Sequence, residues 1–242
     1  AMRELGVRTR RSAYVDGVGT WYHVLSRDSE LFIAYQPAHG QLALRVYGDS
    51  DPTRADSPIV MKREWKVPQD VAKGNSIGLG MTYDGHVVLV TTDGVVIAAS
   101  QDLKEIGYVR LPRVNEDVGN DLFNTFVRNS MAIDENGGIY VVAREAMHRV
   151  QWTGKKLSLD EADGAWQAPY NNEKSIGSGT TPGLMGWGAK EDQLVVIADA
   201  ALKNNAVAYW RDAIPKSWKG LPGYPRRVAG VTPIRWGIRG NG

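Results

Sequence analysis

Four histidines, His23, His39, His86 and His148, are the side chains best suited to proton transfer near neutral pH. None stands in an HxH or HExxH spacing, so the residue pattern lends no support to a zinc site. Cysteine is absent, which removes disulfides, thiolate nucleophiles and Cys-ligated metals together. Carboxylates recur at Asp84, Asp134 and Asp192, each in a polar stretch between two β-rich runs. Three in register suggest acid/base work, but Asp also hydrogen-bonds its own turn backbone, and turn geometry explains the recurrence better. Gly177-Ser178-Gly179 has the outline of a nucleophile elbow without the strand–turn–helix context that one needs. His23, in Trp21-Tyr22-His23-Val24-Leu25, stands as a candidate proton carrier; a structural imidazole bonded to a backbone carbonyl is its other reading.

The elements that must position such groups repeat. Runs beginning at Leu25, Met81, Met131 and Met185 share an apolar start, a polar turn with Asp, Gly or Asn, and a β-rich continuation. Their starts lie 56, 50 and 54 residues apart. A period of about 40–50 residues with several short strands per unit is the signature of a propeller blade. The spacing predicts an all-β propeller of about four blades, at 21–68, 76–112, 126–166 and 178–215, in a single domain. Asp84-Gly85, Asp93-Gly94 and Asn136-Gly137 supply the positive φ of tight hairpins. Phe126–Ile133 is predicted as one strand and a further strand is expected around Trp166. No long 3.6-residue apolar period is present, so helix should be scarce.

Strands predicted at 8–15 and 228–236 fit no complete blade. They make the chain read as part of a larger propeller, or as one completed by dimerisation through open blade edges. Ile234 and Trp236 are the residues expected in that homodimer interface. The net charge of +2 and dispersed basic residues exclude an electrostatic nucleic-acid footprint. No apolar run approaches the ~20 residues of a membrane span, and Ala1–Glu4 lacks a signal-peptide core. The expected setting is soluble, in cytosol or periplasm. Eight Trp and ten Tyr against three Phe suit sheet-on-sheet packing that keeps a polar atom for a partner; a stacking surface for a flat ligand is the alternative.

Asn129-Ser-Met-Ala-Ile-Asp-Glu-Asn-Gly-Gly-Ile-Tyr-Val-Val142 resembles the blade motif of the SMP-30/gluconolactonase/paraoxonase-like superfamily, over the Met81–Asp199 half of the chain. Ser178-Gly-Thr-Thr-Pro-Gly-Leu-Met-Gly186 also resembles a recurring piece of bacterial propellers that carries no assigned reaction. The first resemblance implies a Ca²⁺ in a central tunnel, held by Glu, Asn and Asp from inner strands. Such an ion polarises a lactone carbonyl or phosphoryl oxygen. Asn129 matches the position of the motif's tunnel-facing Asn, Asn75 stands at a similar start in the preceding blade, and Asp199 follows a strand where the family places an Asp ligand. The family's first-blade glutamate has no counterpart.

Two functions from different classes follow. One is a metal-dependent hydrolase of small esters, lactones or phosphotriesters, with Ca²⁺ among Asn129, Asp199 and Asn75, attack by water or the Asp199 carboxylate, and His23 carrying the proton. The other is a non-catalytic propeller that acts as an interaction platform. A quinoprotein-like oxidoreductase fragment is a third option that suits the Trp content but lacks regular Trp-docking repeats.

Overall fold

The computed structural model describes residues 22–37, 41–113, 125–174, 176–188 and 190–235. The expected strand at 8–15, His39 and Trp236 lie outside these residues. The chain divides into two compact units, Ala1–Arg110 and Leu111–Gly242, and each is described by itself.

The first unit holds two antiparallel sheets in simple sequential order. One runs β1 (His23–Leu25), β2 (Leu31–Tyr35), β3 (Ala43–Asp49), β4 (Ile59–Lys66); the other runs β5 (Ser76–Met81), β6 (Val87–Thr91), β7 (Val95–Ala99), β8 (Ile106–Arg110). Strands β6 and β7, Val-Val-Leu-Val-Thr and Val-Val-Ile-Ala-Ala, are buried throughout. Such runs belong to strands covered on both faces, where alternation is lost. Phe32, Leu44, Val46, Leu89 and Ile97 form a core shared by the two sheets.

The turns of the second sheet repeat one device. A hydroxyl donates to the Asp two residues on and accepts a backbone N–H four or five residues on. Thr82 does so with Asp84 and the His86 amide, Thr91 with Asp93 (2.5 Å) and the Val95 amide (3.1 Å), and Ser100 with Asp102 (2.6 Å) and the Glu105 amide (3.0 Å). The recurring Asp is thus a turn residue, as its local hydrogen-bonding habit predicts.

In the second unit the third sheet contains β9 (Ala132–Ile133), β10 (Gly138–Val142), β11 (Ala146–Trp152), β12 (Leu157–Ser158) and β13 (Trp166–Pro169), with one 3-10 turn at Glu161–Asp163. Both β12 and β13 pair with β11. The fourth sheet runs β14 (Gly183–Met185), β15 (Leu194–Ala198), β16 (Asn205–Trp210), β17 (Val228–Pro233). No α-helix occurs among the described residues. Trp166 stacks on Tyr209 at 6.0 Å and meets Tyr140 at 6.1 Å, inside a core that includes Val142, Met147, Ile197 and Val228. Asp134 closes the β9–β10 turn. One oxygen accepts the amides of Asn136 (2.9 Å) and Gly138 (2.7 Å), and the other accepts the Tyr140 hydroxyl (2.6 Å). Gly138 has no room for a side chain: a Cβ would stand 2.6 Å from Arg149 Nε and 2.7 Å from Asp134 Oδ2.

Two elements differ from expectation. Phe126–Ile133 is not one strand; only Ala132–Ile133 joins the sheet, with a single bridge from Val127 to Ala143. The interruption at 128–131 follows from its bonds, because Arg128 and Asn129 reach sideways to the carbonyls of Ile176 and Ser178. The expected terminal strand at 228–236 does not begin a further blade. Val228–Pro233 folds back on β16, completing the fourth sheet beyond the predicted limit at 215. Ile234 donates its amide to Asn204 O at 2.9 Å, so the strand taken as unpartnered has an intrachain neighbour along one edge.

His148 on β11 is buried, and burial pushes its imidazole down to about 4 from an ordinary 6.5. The folded state therefore resists protonation that the unfolded chain accepts. Stability is full above pH 6.5 and falls as pH drops toward 4, by about 3 kcal/mol at one proton per 1.36 kcal/mol per pH unit. Thermal unfolding followed from pH 7.5 to 4 should show this fall, and His148→Leu should flatten it; an unchanged slope in the variant would remove His148 as its source.

Candidate functional site

Each sheet has one end where its first strand begins and its second strand turns into its third. At this front end of the second unit lie the β10–β11 turn, Ala143–Glu145, and the β15–β16 connection, Asp199–Asn204. Residues 170–182 run between them, from β13 to β14, and are bonded to both.

The attachment to the third sheet centres on Tyr170. Its hydroxyl lies 2.6 Å from Ala143 O and 2.9 Å from Arg144 O, to which it donates, and it accepts the Ser178 amide at 2.9 Å. Asn172 Nδ2 donates to the same Arg144 carbonyl at 2.9 Å, while Asn172 Oδ1 accepts the Gly177 amide at 2.9 Å. The Arg144 amide donates to Phe126 O at 2.8 Å. The turn carrying Arg144 and Glu145 is therefore clamped through its main chain. Gly177, at φ 75°, passes so close that a Cβ would stand 3.0 Å from Arg144 Cα. Asn129 Nδ2 donates to Ser178 O at 3.3 Å, and Arg128 Nη1 donates to Ile176 O at 3.1 Å.

The attachment to the fourth sheet is mostly backbone. Ala200 donates its amide to Asn171 O, Lys174 donates its own to Ala200 O, and Thr180 Oγ1 accepts the Ala198 amide at 3.1 Å. Asp199 is 3% exposed. Its Oδ1 accepts the amides of Asn205 (2.7 Å) and Ala201 (3.3 Å), and its Oδ2 accepts Asn205 Nδ2 (2.7 Å).

Charge at the front end is mixed. Burial raises the Tyr170 hydroxyl to about 12, with Glu145 adding to the rise, while the Ser178 amide and the cations Arg128 and Arg144 act the other way. Tyr170 is thus a proton-bearing donor at neutral pH and no base. Tyr209 is fully buried, its hydroxyl has no hydrogen-bond partner among the described residues, and burial with Tyr170 and Asp199 nearby holds it protonated.

Of the residues selected from sequence, Asn129 and Asp199 come to the front ends of adjacent sheets and bracket the same loop. His23 and Asn75 belong to the first unit. His23 is exposed on β1, and Asn75 is exposed just before β5, its amide and carbonyl both bonded to Thr92. Ser178 has no general base: its hydroxyl pairs with Thr180 Oγ1 at 2.8 Å. Calcium requires six to eight oxygen ligands. Both Asp199 oxygens already serve its own loop, and no group of three or more His, Asp or Glu able to hold a metal exists among the described residues. Sequence reasoning did not select Arg144, Tyr170 or Asn172. Two signals lay near them: the long connection 165–181, a candidate functional loop or an inter-blade linker that contains Tyr170 and Asn172, and Ser178–Gly186, whose residues Ser178 and Thr180 sit in the loop itself.

No family model matches the chain. An uncharacterized protein from Archaeoglobus fulgidus is 36% identical over 200 residues, which is 80% of this chain and 37% of that protein. Among solved structures, selenomethionine-substituted virginiamycin B lyase from Staphylococcus aureus aligns with a TM-score of 0.53 at 12% identity, over 92% of this chain and 57% of that one. A catalytically inactive variant of that lyase with Quinupristin aligns at 0.51 and 10% identity, over 91% and 57%. The chain thus spans little over a third of its sequence relative and under two thirds of these structures. The likenesses, with four antiparallel sheets, show a β-propeller fold.

Tyr170→Phe removes the hydroxyl that joins the Ala143–Arg144 carbonyls to the Ser178 amide. Leaving these groups unpaired costs about 1–3 kcal/mol locally. Amide hydrogen exchange should accelerate at Gly177 and Ser178 and stay unchanged in β6 and β7; unaltered exchange at Ser178 would show that the loop is held by other means.

Proposed function

We propose that this chain is a ligand-recognising propeller segment whose working surface is the front end of the third and fourth sheets. The observation that carries this reading is the clamp on Arg144. Tyr170 and Asn172 spend buried polar groups on fixing one hairpin turn, and that turn presents an adjacent guanidinium and carboxylate. Arg128 and Arg144 suit a small carboxylate or lactone, since a guanidinium offers a planar fork of donors to oxygen pairs. Asn129, bonded to Ser178 O, adds a polar group beside them. Recognition here requires no proton transfer: the tyrosines stay protonated, and Ser178 is bonded to Thr180 rather than to a base.

A second reading, a Ca²⁺-dependent hydrolase of small esters, lactones or phosphotriesters, is favoured by the likeness of Asn129–Val142 to the SMP-30/gluconolactonase/paraoxonase-like motif. It needs oxygen ligands beyond those of Asn129 and Asp199. One set of assays separates the two. The chain is titrated with a sugar lactone and with its open carboxylate, following tryptophan fluorescence, and turnover of lactone and aryl ester is measured with Ca²⁺ and with chelator. The recognition reading expects saturable binding that survives chelator, weakens about tenfold or more in Arg144→Ala, and is accompanied by no turnover. Calcium-stimulated turnover that chelator abolishes and Asn129→Ala lowers would establish the hydrolase instead.

A further inference from the structure

The opposite end of the second unit contains a cleft that the front-end reading does not use. It lies between the 3-10 turn with β13 on one side and the segment after β16 on the other, and encloses about 530 Å³. Arg149, Asp212, Arg227, Trp166, Gln167 and Glu161 line it. Its charges are unevenly matched. Arg149 is 5% exposed and is paired: Nη2 lies 2.9 Å from Asp212 Oδ1, and Nη1 donates to Gly164 O at 2.5 Å. Asp212 is thereby committed to Arg149.

Arg227 is different. Its guanidinium lies 5.0 Å from the centroid of the Trp166 ring. Its Nη1 donates to the main-chain carbonyls of Trp210 and Asp212. Among the described residues no carboxylate lies within the 4.0 Å of an ion pair with it, although it is half-buried. Burial first, and then the positive charge of Arg149, press against its protonation. A cation fixed by neutral carbonyls beside a second cation has only Glu161 and Asp212 to offset it, and Asp212 is already paired with Arg149. Glu161 at the rim is exposed and in no ion pair among the described residues, so it softens the field from a distance without filling the role.

We propose that this cleft is an oxyanion site, in which Arg227, seated on Trp166 and backed by Arg149, binds a phosphate or carboxylate group of a small molecule. The planar fork of Arg227 supplies paired donors, and the partly enclosed cleft strengthens them relative to open water. The site is separate from the front end and does not depend on what binds there.

The test titrates the full chain with inorganic phosphate and, separately, with acetate at constant ionic strength, read by calorimetry and by the fluorescence of Trp166 and its neighbours. Saturable binding of one ion per chain is expected, and whichever ion binds identifies the oxyanion. Arg227→Gln should weaken binding about tenfold or more. Glu161→Gln, at an exposed rim position with no bonds to lose, should tighten it several-fold by removing the opposing charge. Lys104→Ala, on an exposed turn of the first unit, should leave it unchanged. Absence of saturable binding at millimolar concentration, or an affinity that Glu161→Gln does not raise, would overturn the proposal, and neither result depends on Arg227→Gln remaining folded.

Discussion

The Arg144 carbonyl, with two side-chain amide and hydroxyl donors converging on it, is the contact on which the front end of the second unit depends. A hairpin turn ordinarily leaves such a carbonyl to water. Here Tyr170 OH and Asn172 Nδ2 both reach it, and their acceptors take the Ser178 and Gly177 amides in return. Two amides of the loop and two carbonyls of the turn are satisfied by two side chains. Removing either would leave buried groups unpaired, which is the costly arrangement. The loop's position, and through it the placement of Asn129, Ser178 and Thr180, follows from this exchange.

The remaining polar residues divide by whom they serve. Asp84, Asp93, Asp102 and Asp134 each spend one oxygen on a local turn, accepting a hydroxyl or amide within a few residues. Asp199 behaves the same way on a longer connection. A carboxylate so engaged has little to offer a cation, because each new ligand bond must replace an existing hydrogen bond in a buried setting.

Much of the fold was legible because its determinants are local. The Met81 and Met131 repeats mark the first strand of a sheet near its turn, Asp-Gly and Asn-Gly mark hairpins, and β6 and β7 declare themselves by apolar runs rich in β-branched residues. The β17 pairing was not legible. Its partner is chosen across the connection after β16, and Val228–Pro233 has the same β-character whether it closes one blade or opens the next. The front end was half legible. Asn129 and Asp199 stand at repeat-defined positions, but the clamp is made of bonds to main-chain carbonyls and amides, which no residue type advertises. Arg227 was hidden for a related reason: in sequence Arg226-Arg227 reads as a solvated pair, and only folding seats one of them on Trp166.

The most direct measurement is a double-mutant cycle on the clamp, with unfolding free energies of Tyr170→Phe, Asn172→Ala and the pair. Because both side chains satisfy one carbonyl and hold one loop, the account predicts that their effects couple, by about 0.5–3 kcal/mol. Effects that add to within about 0.3–0.5 kcal/mol would mean that the two bonds act independently, and would contradict a front end held as a unit.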